Sequence, residues 1–207
     1  MDMNDVVYNV KEKNISENIS YIECTDDPLS ADIGIIRTDN GVWLYDVGND
    51  MRNLSALEGK YNVVLSHFHT DHVGCIEQIK TDSLYISKET QKHIKIQGKI
   101  VEDDLYIDNL HIFPLRSSHA KGSLGLEVDE NYAFVGDALY CRMKNGQYSY
   151  NAQLLYDEIV KLKSLKASRL LVSHHPGLLR SKDEVIAELE EIYSKHVPGN
   201  PEIVVSF

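Results

Sequence analysis

Nine residues constrain this chain more than any others: Ser66-His67-Phe68-His69-Thr70-Asp71-His72-Val73-Gly74. Positions 67, 69, 71 and 72 carry imidazole or carboxylate, the ligands that suit zinc, iron or manganese. The run follows Tyr61-Asn62-Val63-Val64-Leu65, a short β-branched segment that reads as a buried strand. It precedes Val73 to Lys80, which reads as the start of a helix. The spacing therefore predicts ligands on a strand-to-helix loop at the carboxyl end of a strand, where open α/β sheets place their sites. Residues two apart in an extended stretch point the same way, so His67 and His69 can grip one ion. Asp71 and His72 fall where the chain turns and can aim at a second point a few ångströms away. The competing reading is a solvated loop rich in His, but this many potential ligands directly after a buried strand are hard to explain by packing.

Composition narrows the class. With 207 residues the chain can build one substantial core or two tightly fused halves, and one domain over 1–207 is expected. No segment reaches the length of a membrane span, and Met1-Asp2-Met3-Asn4-Asp5 lacks the basic and apolar regions of a signal peptide, so a cytoplasmic protein that does not bind membranes is expected. The formal charge of −11 argues against a phosphate-tracking surface, and no nucleic-acid partner is expected. Cys24, Cys75 and Cys141 show no C-x-x-C spacing and read as reduced thiols.

Taken in order, Tyr8-Asn9-Val10 and Ile19 to Ile22 read as edge strands joined by a turn at Asn14 to Asn18. Asp26 to Ser30 reads as a loop, and Ile33 to Arg37 and Val42 to Asp46 as a hairpin turning on Asp39-Asn40-Gly41. A short helix is expected at Asn53 to Leu57. Ser83 to Ile86 reads as strand, Ser87 caps a helix through Ile94, and 95–103 reads as loop. Short strands follow at Leu105–Ile107, Leu110–Pro114, Leu124–Val128 and Tyr132–Val135. Ala152–Leu165 has a helical pattern, Arg169–Val172 is a strand, Ser181-x-x-Glu184 has the form of a capping box opening a helix to His196, and Ile203–Val205 is a last strand.

Four further segments place ligand-type side chains at strand ends: Asp46-Val47-Gly48, His119-Ala120-Lys121-Gly122-Ser123, Gly136-Asp137 and Ser173-His174-His175-Pro176. Each alone reads as a turn cap or a packed histidine. Together they supply the convergence that a metal site requires.

These motifs, in this order, resemble those of the metallo-β-lactamase-fold hydrolases, with His67-x-His69-x-Asp71-His72 and Gly74 as the signature. The likeness is to glyoxalase II-like and lactonase-like members and runs over about residues 30 to 180. It implies an α/β (α+β) fold, the four-layer αββα sandwich, with the site at one edge between two sheets. It also implies two Zn²⁺ ions, with iron or manganese as alternatives. His67, His69 and His119 look like ligands of the first metal. Asp71, His72 and a histidine at 174 or 175 look like ligands of the second, and Asp137 looks like the carboxylate between them. His174 fits best, because its run resembles the family's Gly-His-Gly-Pro segment; His175 is the alternative. Asp46 corresponds to a carboxylate that hydrogen-bonds the ligand loop. Three departures stand out: Cys75 where glycine is common, Lys121 where proline is common, and a short stretch after residue 180, so that the helical domain that binds glutathione in glyoxalase II enzymes is not expected here.

The resemblance implies a hydrolase of a small ester, thioester or lactone, in which the metals lower the pKa of a water from about 15.7 to roughly 7 and Asp71 is the catalytic carboxylate. The partner is then a small-molecule substrate, with a homodimer left open. Lys121, Tyr140 and Arg142 are candidates to meet an anionic group, though each reads first as a surface or packing residue. Cys75 and Cys141 read as small buried thiols, and His93, His111 and His196 as structural. Two rival readings are an iron redox enzyme on the same fold, such as a persulfide dioxygenase, and a metal-binding protein without turnover.

Overall fold

The computed structural model describes residues 10–144 and 146–206. At the amino end, β1 (Glu12–Asn14) and β2 (Ile19–Ile22) form a hairpin, β3 (Thr25–Asp26) and β4 (Leu29–Ser30) a minimal second one, and β5 (Ile33–Thr38) and β6 (Gly41–Tyr45) a third. A 3-10 segment (Met51–Ala56) leads to β7 (Tyr61–Val64) and the single-turn helix α1 (Thr70–Val73). Then come β8 (Thr81–Ile86), α2 (Lys88–Ile94) and β9 (Lys99–Ile100). The second half runs β10 (Leu105–Ile107), β11 (Leu110–Leu115), β12 (Ser123–Val128), β13 (Tyr132–Gly136), β14 (Arg142–Lys144) and β15 (Gln147–Asn151). It closes with α3 (Ala152–Ser164), β16 (Arg169–Val172), β17 (Leu179–Ser181), α4 (Lys182–Ser194) and β18 (Glu202–Val205).

Two sheets carry the fold. One has seven strands in the order β1-β2-β5-β6-β7-β8-β9, and the other six in the order β10-β11-β12-β13-β16-β17. The alternation of side chains along β6 shows how they stack. Trp43 and Tyr45 face inward and pack with Ile112, Leu126 and Phe134 of the second sheet, while Leu44 faces outward. The Tyr45 and Phe134 rings stack at 5.1 Å. Outside the first sheet, Ile35, Leu44 and Val63 meet Val73 and Ile76. Outside the second, Ala133, Leu170 and Val172 meet Leu155 and Ile159 of α3 and Val185 and Leu189 of α4. The result is the four-layer αββα sandwich that the motifs implied. No helix among the described residues is long and apolar enough to cross a membrane.

The departures from the sequence reading have local causes. The helix expected over Val73–Lys80 is one α-turn from Thr70 to Val73, then a 3-10 turn at Ile76–Gln78. The Cys75 amide donates to the Gly48 carbonyl (3.0 Å), and this takes it out of the helical ladder. A side chain at Gly74 would also meet the Thr70 carbonyl at 2.8 Å. Tyr8 and Asn9 lie outside the described residues, and the first strand is Glu12–Asn14; β2, expected at an edge, lies inside it. The loops expected at 26–30 and 95–103 contain β3–β4 and β9, and β14, β15 and β17 lie where the sequence reading places no strand, although Tyr148 and Tyr150 alternate with polar residues along β15. Ser181 makes no capping bond; it closes β17 and pairs with Arg169 across the ladder.

One core residue opposes stability. Glu158 on α3 is fully buried, and neither carboxylate oxygen has a hydrogen-bond partner. Burial raises its pKa well above the ordinary 4.5. The unfolded chain therefore ionises at lower pH than the folded one. The cost of this group to folding is least below about pH 4.5, where both states are protonated, and grows as pH rises toward the folded-state pKa. An unsatisfied buried group of this kind costs about 1–3 kcal/mol. Glu158→Met should raise Tm by about 5 °C at pH 8 and by less at pH 5. Thermal unfolding at the two pH values checks this, and equal or lower Tm for the variant at both would contradict it.

Candidate metal centre

The site forms where β6, β7, β13 and β16 end. β7 lies between parallel neighbours β6 and β8, which explains its unbroken apolar run. After Leu65 the chain leaves the sheet and turns into α1. Backbone bonds pin that turn: Ala31 donates to the Asp71 carbonyl (2.8 Å) and Val47 to the His72 carbonyl (2.9 Å). The His119 loop is tied to the β13 exit, because Ser117 Oγ receives the His119 amide (3.0 Å) and donates to the Ala138 carbonyl (2.6 Å).

Two donor groups result. His67, His69 and His119 form one, and Asp71, His72, Asp137 and His174 the other; within each, the donor atoms lie within 4.8 Å of one another. Asp137 Oδ2 sits between them, 3.4 Å from His119 Nε2 and 3.3 Å from His72 Nε2. His69 Nδ1 lies 3.1 Å from His119 Nε2, and His174 Nε2 lies 3.1 Å from Asp71 Oδ2. Donors about 2.0–2.1 Å from one tetrahedral ion stand roughly 3.3–3.4 Å apart, so these separations suit a shared cation. His67 Nε2, His72 Nε2 and Asp137 Oδ1 are buried without a hydrogen-bond partner. Buried polar atoms are nearly always paired, and a cation among these donors would satisfy them. The residues present fit a metal.

Behind the donors lies a carboxylate that grips them. Asp46 is fully buried with φ +60°. It accepts the Ser66 amide (2.7 Å), the Ser66 hydroxyl (2.7 Å) and His72 Nδ1–H (2.7 Å). With its proton committed to Asp46, Ser66 Oγ accepts from His67 Nδ1 at 2.9 Å. Both rings are thereby oriented with Nε2 toward the donor groups. Gly136 allows this packing: a Cβ there would meet Ser66 Cβ at 2.8 Å, and its φ is +56°. Burial would lower the pKa of His72, but the Asp46 and Asp137 carboxylates outweigh it and raise it to about 10. Burial and the neighbouring imidazoles push His67 far below its ordinary value, so it stays neutral.

The structure also separates the open candidates. His174 joins the second group, and His175 joins neither. His93 stacks on Phe68 at 3.9 Å, His111 bonds Glu127 at 3.1 Å, and His196 bonds the Asn200 carbonyl at 2.9 Å. Cys75 is buried beside Met51, and Cys141 lies outside both groups. Tyr140 donates to the Ser173 carbonyl (2.8 Å) and so braces the His174 turn.

Sequence reasoning gave no role to Ser66 or Asp32. Asp32 is buried, accepts the His174 amide (2.9 Å) and the Cys24 amide (3.0 Å), and holds His174 at φ +61°. Ser66 could have been suspected from its place before the first histidine. Asp32 had no signal: it looks like any acidic residue before a strand.

Solved structures with this arrangement of layers are known. A metallo-beta-lactamase from Hirschia baltica superposes with TM-score 0.66 at 12% identity, covering 89% of this chain and 97% of its own. The chain has the metallo-β-lactamase fold. An archaeal metallo-beta-lactamase superfamily protein from Sulfolobus tokodaii shares the fold at TM-score 0.58 and 16% identity, covering 89% and 90%. So does the Flv1 flavodiiron core from Synechocystis sp. PCC6803, at TM-score 0.67 and 14% identity, covering 90% of this chain and 61% of that one. No family model matches the sequence. A hydroxyacylglutathione hydrolase from Wigglesworthia glossinidia brevipalpis is 27% identical over 130 residues, 60% of this chain. The match spans about half the length of that relative, 51%.

Because Ser66 orients both His67 and the carboxylate behind His72, Ser66→Ala should weaken metal binding about 10- to 100-fold, the usual cost of losing such a partner. Competition against a chromophoric chelator measures this, and parental affinity in a folded variant would contradict it.

Proposed function

We propose that this chain is a metal-dependent hydrolase that cleaves a small ester, thioester or lactone. The observation that most supports this reading is Asp137, one carboxylate oxygen placed within 3.4 Å of a donor from each group. His67, His69 and His119 would hold one ion, Asp71, His72 and His174 a second, and Asp137 would be shared. Zinc is the metal we assign, because histidine and carboxylate are its usual donors in catalytic sites. Bound metal would supply an activated water and a polarised carbonyl.

The chain's own residues do the rest. Asp71 is opposed by burial, yet its hydrogen bond to His174 and the charge on His72 hold its pKa below the ordinary 3.8. It is a carboxylate at neutral pH and can orient a water and take up its proton. Asp46 and Ser66 keep two imidazoles from rotating, and so fix where the water and the carbonyl meet. The edge of the site is open enough for a substrate, since His119, His174 and Asp71 side chains are 20%, 24% and 16% exposed. The likeness to a hydroxyacylglutathione hydrolase supports hydrolysis as the reaction class.

The likeness to a flavodiiron core supports a second reading, an iron redox enzyme on the same ligands. A third reading is a metal-binding protein without turnover. A screen of chromogenic esters, thioesters and lactones beside an oxygen-uptake assay separates all three. Within the hydrolase reading, Asp71→Ala should keep the parental circular dichroism spectrum and lose at least about 10²-fold in kcat, the scale of a positioned acid–base group. Parental turnover in the folded variant would remove Asp71 from the mechanism.

A further inference from the structure

A cavity of about 740 Å³ opens beside His119, a size common for small-molecule sites. Val101, Leu115, Leu124 and Leu154 contribute an apolar floor, three of them buried. Charge gathers at the rim. Lys88, Arg116, Lys121 and Arg142 line the cavity against two carboxylates, Glu89 and Glu102. Across the whole chain the ratio is reversed, with 21 basic to 32 acidic residues.

Arg142 is paired with Glu202, and Lys88 pairs with Glu102 at 2.5 Å although both of those side chains are exposed. The other two cations have longer pairs. Lys121 Nζ lies 3.6 Å from Glu89 with its side chain 81% exposed, and Arg116 lies 3.7 Å from Asp157 with its side chain 71% exposed. Exposed pairs of this kind contribute little, so either side chain can turn to an incoming anion at small cost. An apolar floor beneath two loosely paired cations suits a molecule with a hydrocarbon segment and a charged end.

We infer that this cavity holds the remote part of the substrate, and that the substrate class is an ester or thioester with a terminal carboxylate. The inference rests on the hydrolase reading and specifies it. The carbonyl to be cleaved lies at the His119 end, a short hydrocarbon segment runs over Leu115 and Leu124, and the carboxylate is met by Lys121 and Arg116.

Two probes that differ only in that charge test it. Binding of monomethyl adipate and dimethyl adipate to the metal-loaded protein is measured by calorimetry, with hydrolysis followed in parallel. The monoester should bind at least about tenfold more tightly, by about 1.4 kcal/mol. The advantage should shrink as salt screens it and disappear in Arg116→Gln/Lys121→Gln. Equal binding of the two probes overturns the inference. So does an advantage retained by the double variant, because the carboxylate is then held elsewhere, at the metals for instance. A charge preference without hydrolysis of either probe upholds the anion site and removes the hydrolase reading; hydrolysis without a charge preference does the reverse.

Discussion

A single buried carboxylate, Asp46, takes the Ser66 amide, the Ser66 hydroxyl and the His72 imidazole, each at 2.7 Å. The rest of the centre depends on these bonds. They turn the chain out of β7, fix the orientation of the His72 ring and leave the Ser66 oxygen free to receive His67 Nδ1. Ser66 and Tyr45, on either side of this cluster, also join the sheets. The Ser66 carbonyl receives the Leu124 amide (2.7 Å), and the Tyr45 hydroxyl donates to the Leu124 carbonyl (2.7 Å). The residue that orients the ligand loop therefore also locks the seam of the sandwich. Removing a partner from such a buried network costs more than one hydrogen bond, because the group left behind is unsatisfied.

The centre stores backbone strain for the same end. Asp46 and His174 are non-glycine residues with positive φ, +60° and +61°. Each such conformation costs about 1–3 kcal/mol and persists only where its surroundings over-determine it. For Asp46 the surroundings are its three donors. For His174 they are Asp32, which holds its amide, and Tyr140, which holds the carbonyl just before it. Strain, unpaired buried nitrogens and converging carboxylates all oppose stability in the free protein, and a bound cation would offset the last two. The cationic rim beside His119 extends the same pattern outward, with charge placed where a ligand can use it and the fold gains little from it.

The sequence made the fold legible because each ligand motif follows a strand. Val63-Val64-Leu65 before His67, and Leu170-Leu171-Val172 before His174, mark where buried strands stop and chemistry begins. The convergence of these side chains was legible for the same reason: His174 lies with Asp71, His72 and Asp137, and His175 lies in neither group. What the sequence hid were contacts that only the three-dimensional fold creates. Asp32 lies 142 residues from the amide that it receives, and nothing local distinguishes it. The helix after Asp71 was misread because the Gly48 carbonyl captures the Cys75 amide, a tertiary bond that helical periodicity does not reveal. Ser181 does stand at the N-cap of α4, as its capping-box form suggests, but its side chain makes no cap bond and its residue also pairs with Arg169 in the β16–β17 ladder. Strands β14 and β17 are three residues long, too short for a periodic signal, whereas β15 does carry an alternating pair, Tyr148 and Tyr150.

The central claim is that seven side chains hold two ions, and metal content per chain tests it most directly. Elemental mass spectrometry should be run on untagged protein purified without chelator, both as isolated and after reconstitution. About two ions per chain are expected, with zinc bound on reconstitution, and a fall toward one when Asp71 and His174 are both replaced by alanine. Absence of stoichiometric metal, even after reconstitution, would contradict it and leave the convergence of buried donors without an occupant.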